Sequence, residues 1–151
     1  MSMRRFISVW THPDYAPAPI NSDDLEKVER RLHTRLPPDY KAALLEFGLP
    51  RPTIELLDAI CDRQLDLRDV SDFLGPDEIV EVTGDWRDLG LPEELYAFAT
   101  DCMGNLFCFP SDPDGDAVRP VFFWDHDSKE VDSVAPSFSG WIEDFCRVAP
   151  N

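Results

Sequence analysis

At 151 residues the chain suits one domain. A chain of this length can bury roughly 68–70% of the surface it exposes when unfolded, so stability requires neither a metal nor a disulfide. Hydrophobic residues make up 43%, with 10 Phe, 4 Trp and 3 Tyr, which provides a core and excludes disorder. Fourteen Lys and Arg against 30 Asp and Glu leave a formal net charge of −16. Such a chain repels phosphate backbones and anionic lipid surfaces, so direct nucleic-acid or membrane binding is excluded and a basic protein partner is favoured.

The charge is uneven. Residues 1–51 carry 7 acids and 8 bases, whereas the remainder carries 23 acids and 6 bases. That asymmetry predicts an acidic face, with plain solubility as the competing explanation. The opening MSMRRFISVW has an apolar run too short for a signal peptide, and no stretch approaches the roughly 20 apolar residues of a membrane span. A cytoplasmic location is expected. The four cysteines, at 61, 102, 108 and 146, lie far apart in apolar contexts and read as buried free thiols.

Residues 1–21, ending in proline-rich THPDYAPAPIN, read as an extended lead-in before a domain from residue 22 onward. SDDLEKVERRLH then predicts a helix, capped by Asn21 or Ser22, with Leu25, Val28 and Leu32 on one face. LPPDYKAALLEFG predicts a second, with Pro38 in its first turn and Gly48 as its stop. The segment from Thr53 to Trp86 is less sharply patterned. TIELLDAI suits a short helix, and GPDEIVEVTGDWRDLG a longer one with Ile79, Val82 and Trp86 in register. YAFAT, NLFCF and PVFFWD predict three successive antiparallel strands, and EVDSVA a fourth. SFSGWIEDFCRV closes the chain as a helix capped by Ser137. The expected architecture is a single α+β domain: an antiparallel sheet of about four or more strands with N-terminal helices and a closing helix packed on it.

SDPDGDA places Asp112, Asp114 and Asp116 at alternate positions, as a calcium loop would. Counting from Asp112, however, position six is Ala117 and position twelve Phe123, where a calcium loop needs glycine and a bidentate glutamate. The stretch reads as a hairpin loop. WDHD suggests an acid–histidine couple. Continued as strand, it would put Asp125 and Asp127 on one face and Trp124 with His126 on the other, so neither aspartate orients the ring. No nucleophile motif accompanies it, and no cysteine pair has metal-ligand spacing. Catalytic residues, metal and cofactor are therefore all expected to be absent, with a hydrolase using His126 as the outlying reading.

NLFCF and VFFW are apolar at both alternate sets, so both sheet faces need cover. Helices on both faces are the expected cover. An exposed aromatic patch rimmed by aspartates is the alternative, and would be a docking surface.

Taken together, LPPDYKAALLEFG, LPEELYAFATDCMGNLFCF, VFFWDHDSKEV and APSFSGWIEDF resemble the SUKH superfamily of small α+β domains. The matching positions are Leu36, Pro37, Asp39 and Tyr40; Asp101, Gly104 and Asn105; Trp124 to Asp127; and Ser137, Phe138, Trp141 and Phe145. With the opening helix before them, the resemblance spans residues 22–148. The resemblance implies a non-enzymatic protein-binding domain, in bacteria an immunity protein that neutralises a delivered toxin, often a basic nuclease. A regulatory scaffold unrelated to toxins is the alternative. The residues expected to meet a basic toxin are Asp112, Asp114, Asp116, Asp125 and Asp127, with Trp86 beside them, on a monomer or weak homodimer.

Overall fold

The computed structural model describes residues 2–115 and 117–150. Among these, helices α1 (Ser2–Trp10), α2 (Ser22–Leu32), α3 (Pro38–Phe47) and α4 (Ile54–Asp62) precede strand β1 (Asp72–Phe73). Helix α5 (Pro76–Arg87), strands β2 (Leu95–Thr100), β3 (Leu106–Pro110), β4 (Val121–Trp124) and β5 (Val131–Ala135), and helix α6 (Phe138–Cys146) follow. The strands form one antiparallel sheet in the order β1-β2-β3-β4-β5. This is the expected α+β domain with N-terminal helices and a closing helix.

The first helix corrects the reading of residues 1–21 as extended. Met3, Phe6 and Trp10 share one helical face and are buried, α1 packs on α6, and the Trp10 indole donates to the Phe145 carbonyl at 3.0 Å. Residues 11–21 do run as irregular chain, bridged at Thr11 to Pro52 and at Ala18 to Leu49. Gly48 permits the second bridge: it stops α3 at φ 85°, and a Cβ there would lie 2.6 Å from the Ala18 carbonyl oxygen.

Strand β3 decides the layering. Its residues Leu106 to Phe109 are buried on both sides, so the sheet centre has no wet face. On one side α6 supplies Phe138, Trp141 and Phe145. Trp141 lies 4.8 Å from Phe107 and 5.2 Å from Phe98. The β2–β3 pairing skips a residue between Ala97 and Ala99, and the skipped Phe98 stacks on Phe109 at 4.0 Å and 9°. Tyr40 of α3 closes this cluster, with ring centroids 5.1–5.6 Å from Phe98, Phe109 and Phe138. On the other side lies α5, with α2 packed on it; the Thr83 hydroxyl accepts from Ala97 N at 3.0 Å, and Trp86 meets Trp124 at 5.5 Å. Helices therefore cover both faces, and the large hydrophobics left exposed include Leu89, Met103 and Val118 but no aromatic of the sheet. The alternative of an exposed aromatic patch does not hold.

The cysteines depart from the expected uniformly buried set. All four are free thiols, but Cys108 alone is buried; Cys61 and Cys102 are exposed and Cys146 is half-buried. Burial pushes the Cys108 thiol well above its ordinary range, as expected of a small apolar filler between Phe107 and Phe109.

Burial likewise raises the Tyr40 phenol, whose hydroxyl finds no hydrogen-bond partner among the described residues. The ring, and not the hydroxyl, is what the core uses. Tyr40→Ala is expected to lower unfolding free energy by about 3–5 kcal/mol, and Tyr40→Phe to change it by less than about 1 kcal/mol. Urea unfolding of both variants checks this, and equal losses would contradict it.

Candidate functional site

The two acidic motifs fall at opposite ends of one strand. The loop carrying SDPDGDA joins β3 to β4, whereas WDHD begins where β4 ends. Four residues of strand, about 13 Å, separate them. Asp116 lies outside the described residues. Asp112 and Asp114 are exposed, and Asp125 and Asp127 are half-buried and exposed respectively.

The hairpin loop spends its polar groups on its own turn and on the α2–α3 connection. The Asp112 carboxylate accepts from Asp114 N at 3.3 Å, and a Cβ at Gly115 would strike that carboxylate at 2.1 Å. Asp112 N donates to the Thr34 hydroxyl at 2.9 Å, and Asp112 O accepts from Arg35 N at 3.1 Å. The buried Arg119 guanidinium reaches the carbonyls of Pro110 and Arg35. Beside the loop, Glu26, Glu29, Arg30, His33, Arg35 and Lys41 line a groove of mixed charge with Pro113. The carboxylates at this end thus have bases for neighbours.

At the other end, the β2–β3 and β4–β5 turns lock together. Asp101 accepts from the backbone N–H of Met103 (2.9 Å) and Asn105 (2.8 Å) and from the Asn105 side-chain amide (3.0 Å). Asn105 Oδ1 in turn accepts from His126 N at 3.1 Å and from His126 Nδ1 at 2.6 Å. That assigns the ring proton to Nδ1, leaving Nε2 3.5 Å from the exposed Asp127 carboxylate. The His126 ring lies 5.5 Å from Trp86, so Trp86 is half-buried between His126 and Trp124 and does not stand free.

WDHD does not continue the strand. Asp125 accepts from Asp127 N at 2.8 Å and Ser128 N at 3.1 Å, forming a side-chain-closed turn completed by Lys129 at φ 64°. The expected alternation of Asp125 and Asp127 against His126 is replaced by this turn. Hydrogen bonds from Ser128 N and Asp127 N hold the Asp125 carboxyl below its ordinary range. His126 has Asn105 and Asp127 as its side-chain polar neighbours among the described residues, a pairing without a hydroxyl or thiol nucleophile.

The other pair of motifs is fastened in the same way. Asp39 of the LPPDY stretch accepts from Ser139 N at 3.1 Å, at the start of α6, while Ser137 caps that helix through Gly140 N at 3.0 Å. The adjacent Tyr40 ring meets Phe138. The motif residues thus join chain segments that are distant in sequence: α3 to α6, and one turn to the next.

Around the two turns the chain is strongly acidic. Residues 125–132 add Glu130 and Asp132 to the two WDHD aspartates, with Lys129 as their base. The segment before β1 brings Asp69 alongside: its carboxylate accepts from Cys102 N at 3.1 Å. Asp69 is a residue that pattern reading does not single out. Burial, then the neighbouring Asp101, raises its pKa, opposed by the Cys102 N–H. Among the described residues no three His, Cys, Asp or Glu side chains gather as a metal site, and no helix is long and apolar enough to cross a membrane.

A model of the SMI1 / KNR4 family (SUKH-1) matches residues 19–144. The chain belongs to that family, in agreement with the resemblance carried by its motifs. Among curated proteins none matches the chain.

Two outcomes follow from the locked turns. Asn105→Ala severs the link between Asp101 and His126 and is expected to cost about 1–3 kcal/mol of stability, read by thermal unfolding; an unchanged midpoint would contradict the linkage. Asp69 titrates in the opposite sense from a paired carboxylate. Its raised folded pKa means the native state holds the proton more tightly, so stability falls as pH rises from the unfolded carboxyl value, about 3.9, through the raised one. Asp69→Asn removes that term. Its unfolding midpoint, relative to the parent chain, is expected to rise between pH 4 and pH 7.

Proposed function

We propose that this protein is an immunity-type binding domain that neutralises a basic, nuclease-type bacterial toxin through its acidic surface. Membership of the SUKH-1 family supports a binding domain. The observation that carries the reading further is the segregation of charge: 23 acids against 6 bases beyond Arg51, in a chain of net charge −16. A nuclease needs a cationic surface to grip phosphate, and an acidic inhibitor gains both steered association and a competing claim on that surface.

In this reading no side chain acts as a catalyst. The turn aspartates Asp125 and Asp127, with Glu130 close in sequence, form one acidic rim beside Trp86. Asp112 and Asp114, with Asp116 in the same loop, form a second at the far end of β4. Both steer the encounter, and the first has fewer bases around it. The domain is taken to act in the cytoplasm, as a monomer or weak homodimer, without cofactor.

Co-expression with a basic toxin encoded beside this gene tests the reading. Suppressed toxicity and a co-purifying complex are expected, with Asp125→Lys/Asp127→Lys weakening protection more than Asp112→Lys/Asp114→Lys. Persistent toxicity with no complex would contradict it and favour a regulatory scaffold with a partner unrelated to toxins.

A further inference from the structure

One edge of the sheet is open, and a notch lies beside it. β5 is the terminal strand, paired on one side with β4. Its residues Val131, Asp132 and Ser133 are exposed, with Arg68 of the segment before β1 bonded to the Asp132 side chain. On the open side, alternate residues of such a strand present unpaired N–H and C=O groups to solvent. Next to it a notch of about 430 Å³ opens between β5, α6 and the segment before β1. Buried Phe107 and Trp141 are reached at its floor, and Asp66 and Asp144 stand on its lips.

The protein itself shows what such a surface holds. The Arg68 guanidinium lies 4.1 Å above the Phe123 ring and pairs with Asp132 at 2.8 Å: a cation over a sheet aromatic, capped by an aspartate. Arg68 itself lines one side of the notch with its charge met by Asp132, and the remaining space, over Phe107 and Trp141 and beside Asp66 and Asp144, has room for a second cation. Asp144 is met by Arg147, a side chain 71% exposed, and Asp66 makes no ion pair among the described residues. Charge also decides the occupant. Pairing β5 with a second copy would bring together two chains of charge −16, each with Asp132 on the edge. A cationic strand meets no such repulsion.

We propose that the β5 edge docks an extended, cationic segment of a partner protein by strand addition, with one arginine or lysine side chain entering the notch over Trp141 and Phe107 between Asp66 and Asp144. This deepens the reading of a basic partner given above and rests on it. Backbone pairing along Val131–Ala135 supplies the grip, and the notch supplies the selection for positive charge.

The probe is a blocked nine-residue peptide of alternating threonine and valine with one central arginine, beside its counterpart carrying neutral citrulline. Titration of the full chain is followed by amide chemical-shift mapping. Saturable binding is expected, with shifts concentrated at residues 131–135 and at the Trp141 indole. The citrulline peptide is expected to bind at least fivefold more weakly, and Asp66→Lys/Asp144→Lys to weaken the arginine peptide at least tenfold, while Glu81→Lys/Asp85→Lys, an equal change of charge on the exposed side of α5, changes it less than twofold. No saturable binding, equal binding of citrulline, or a free chain that is already a dimer through β5 would overturn the proposal. Arginine-dependent binding that maps to the 125–130 turn would overturn it while leaving the basic-partner reading intact. Co-expression with the toxin reads that broader function separately.

Discussion

The structure depends on a strand that has no solvent side. Because Leu106 to Phe109 are buried on both faces, the sheet must be sandwiched, and the chain divides its helices accordingly. α5, with α2 on it, covers one face; α6, with α1 and α3, covers the other. The Phe98–Phe109 stack and the Trp141 ring above Phe107 place the largest apolar side chains where the two-sided burial is most complete. A fully buried aromatic ring contributes a few kcal/mol, so this layer outweighs any surface ion pair in the molecule.

The polar motifs follow from that constraint. A sheet buried on both faces leaves its turns and helix starts as the places where polar side chains can organise the chain. Asp39 ties α3 to the start of α6, and Asp101, Asn105 and His126 tie two neighbouring turns. The residues that make this chain recognisable as SUKH-1 are thus used to hold the fold. A partner therefore has other surfaces to meet: the turn carboxylates that point to water, the mixed-charge groove beside the hairpin loop, and the uncovered edge of β5.

Much of this was legible in the amino-acid order. Two apolar sets in NLFCF signalled burial on both faces, and Ser137 ahead of an apolar helical stripe signalled α6. Successive hairpins alternate ends, so the separation of Asp112 from Asp125 was implicit in the strand order. Other features were hidden for physical reasons. Met3, Phe6 and Trp10 have helical spacing, but a nine-residue helix is marginal alone and owes its place to docking on α6. β1 has two residues and exists through pairing with Thr100 and Ala99. The turn at WDHD is made by the Asp125 side chain bonding its own backbone, which hydrophobic alternation cannot register. Asp69 reaches Cys102 across 33 residues, a contact that only the tertiary fold creates.

An acidic binding domain that works by steering has a kinetic signature. The most direct measurement is the association rate constant with the basic toxin proposed as its partner, as ionic strength is raised from about 10 mM to 1 M, where screening lengths shrink from about 30 Å to 3 Å. The account predicts a fall of at least tenfold with a much smaller change in dissociation rate. An association rate that is flat across that range would contradict it.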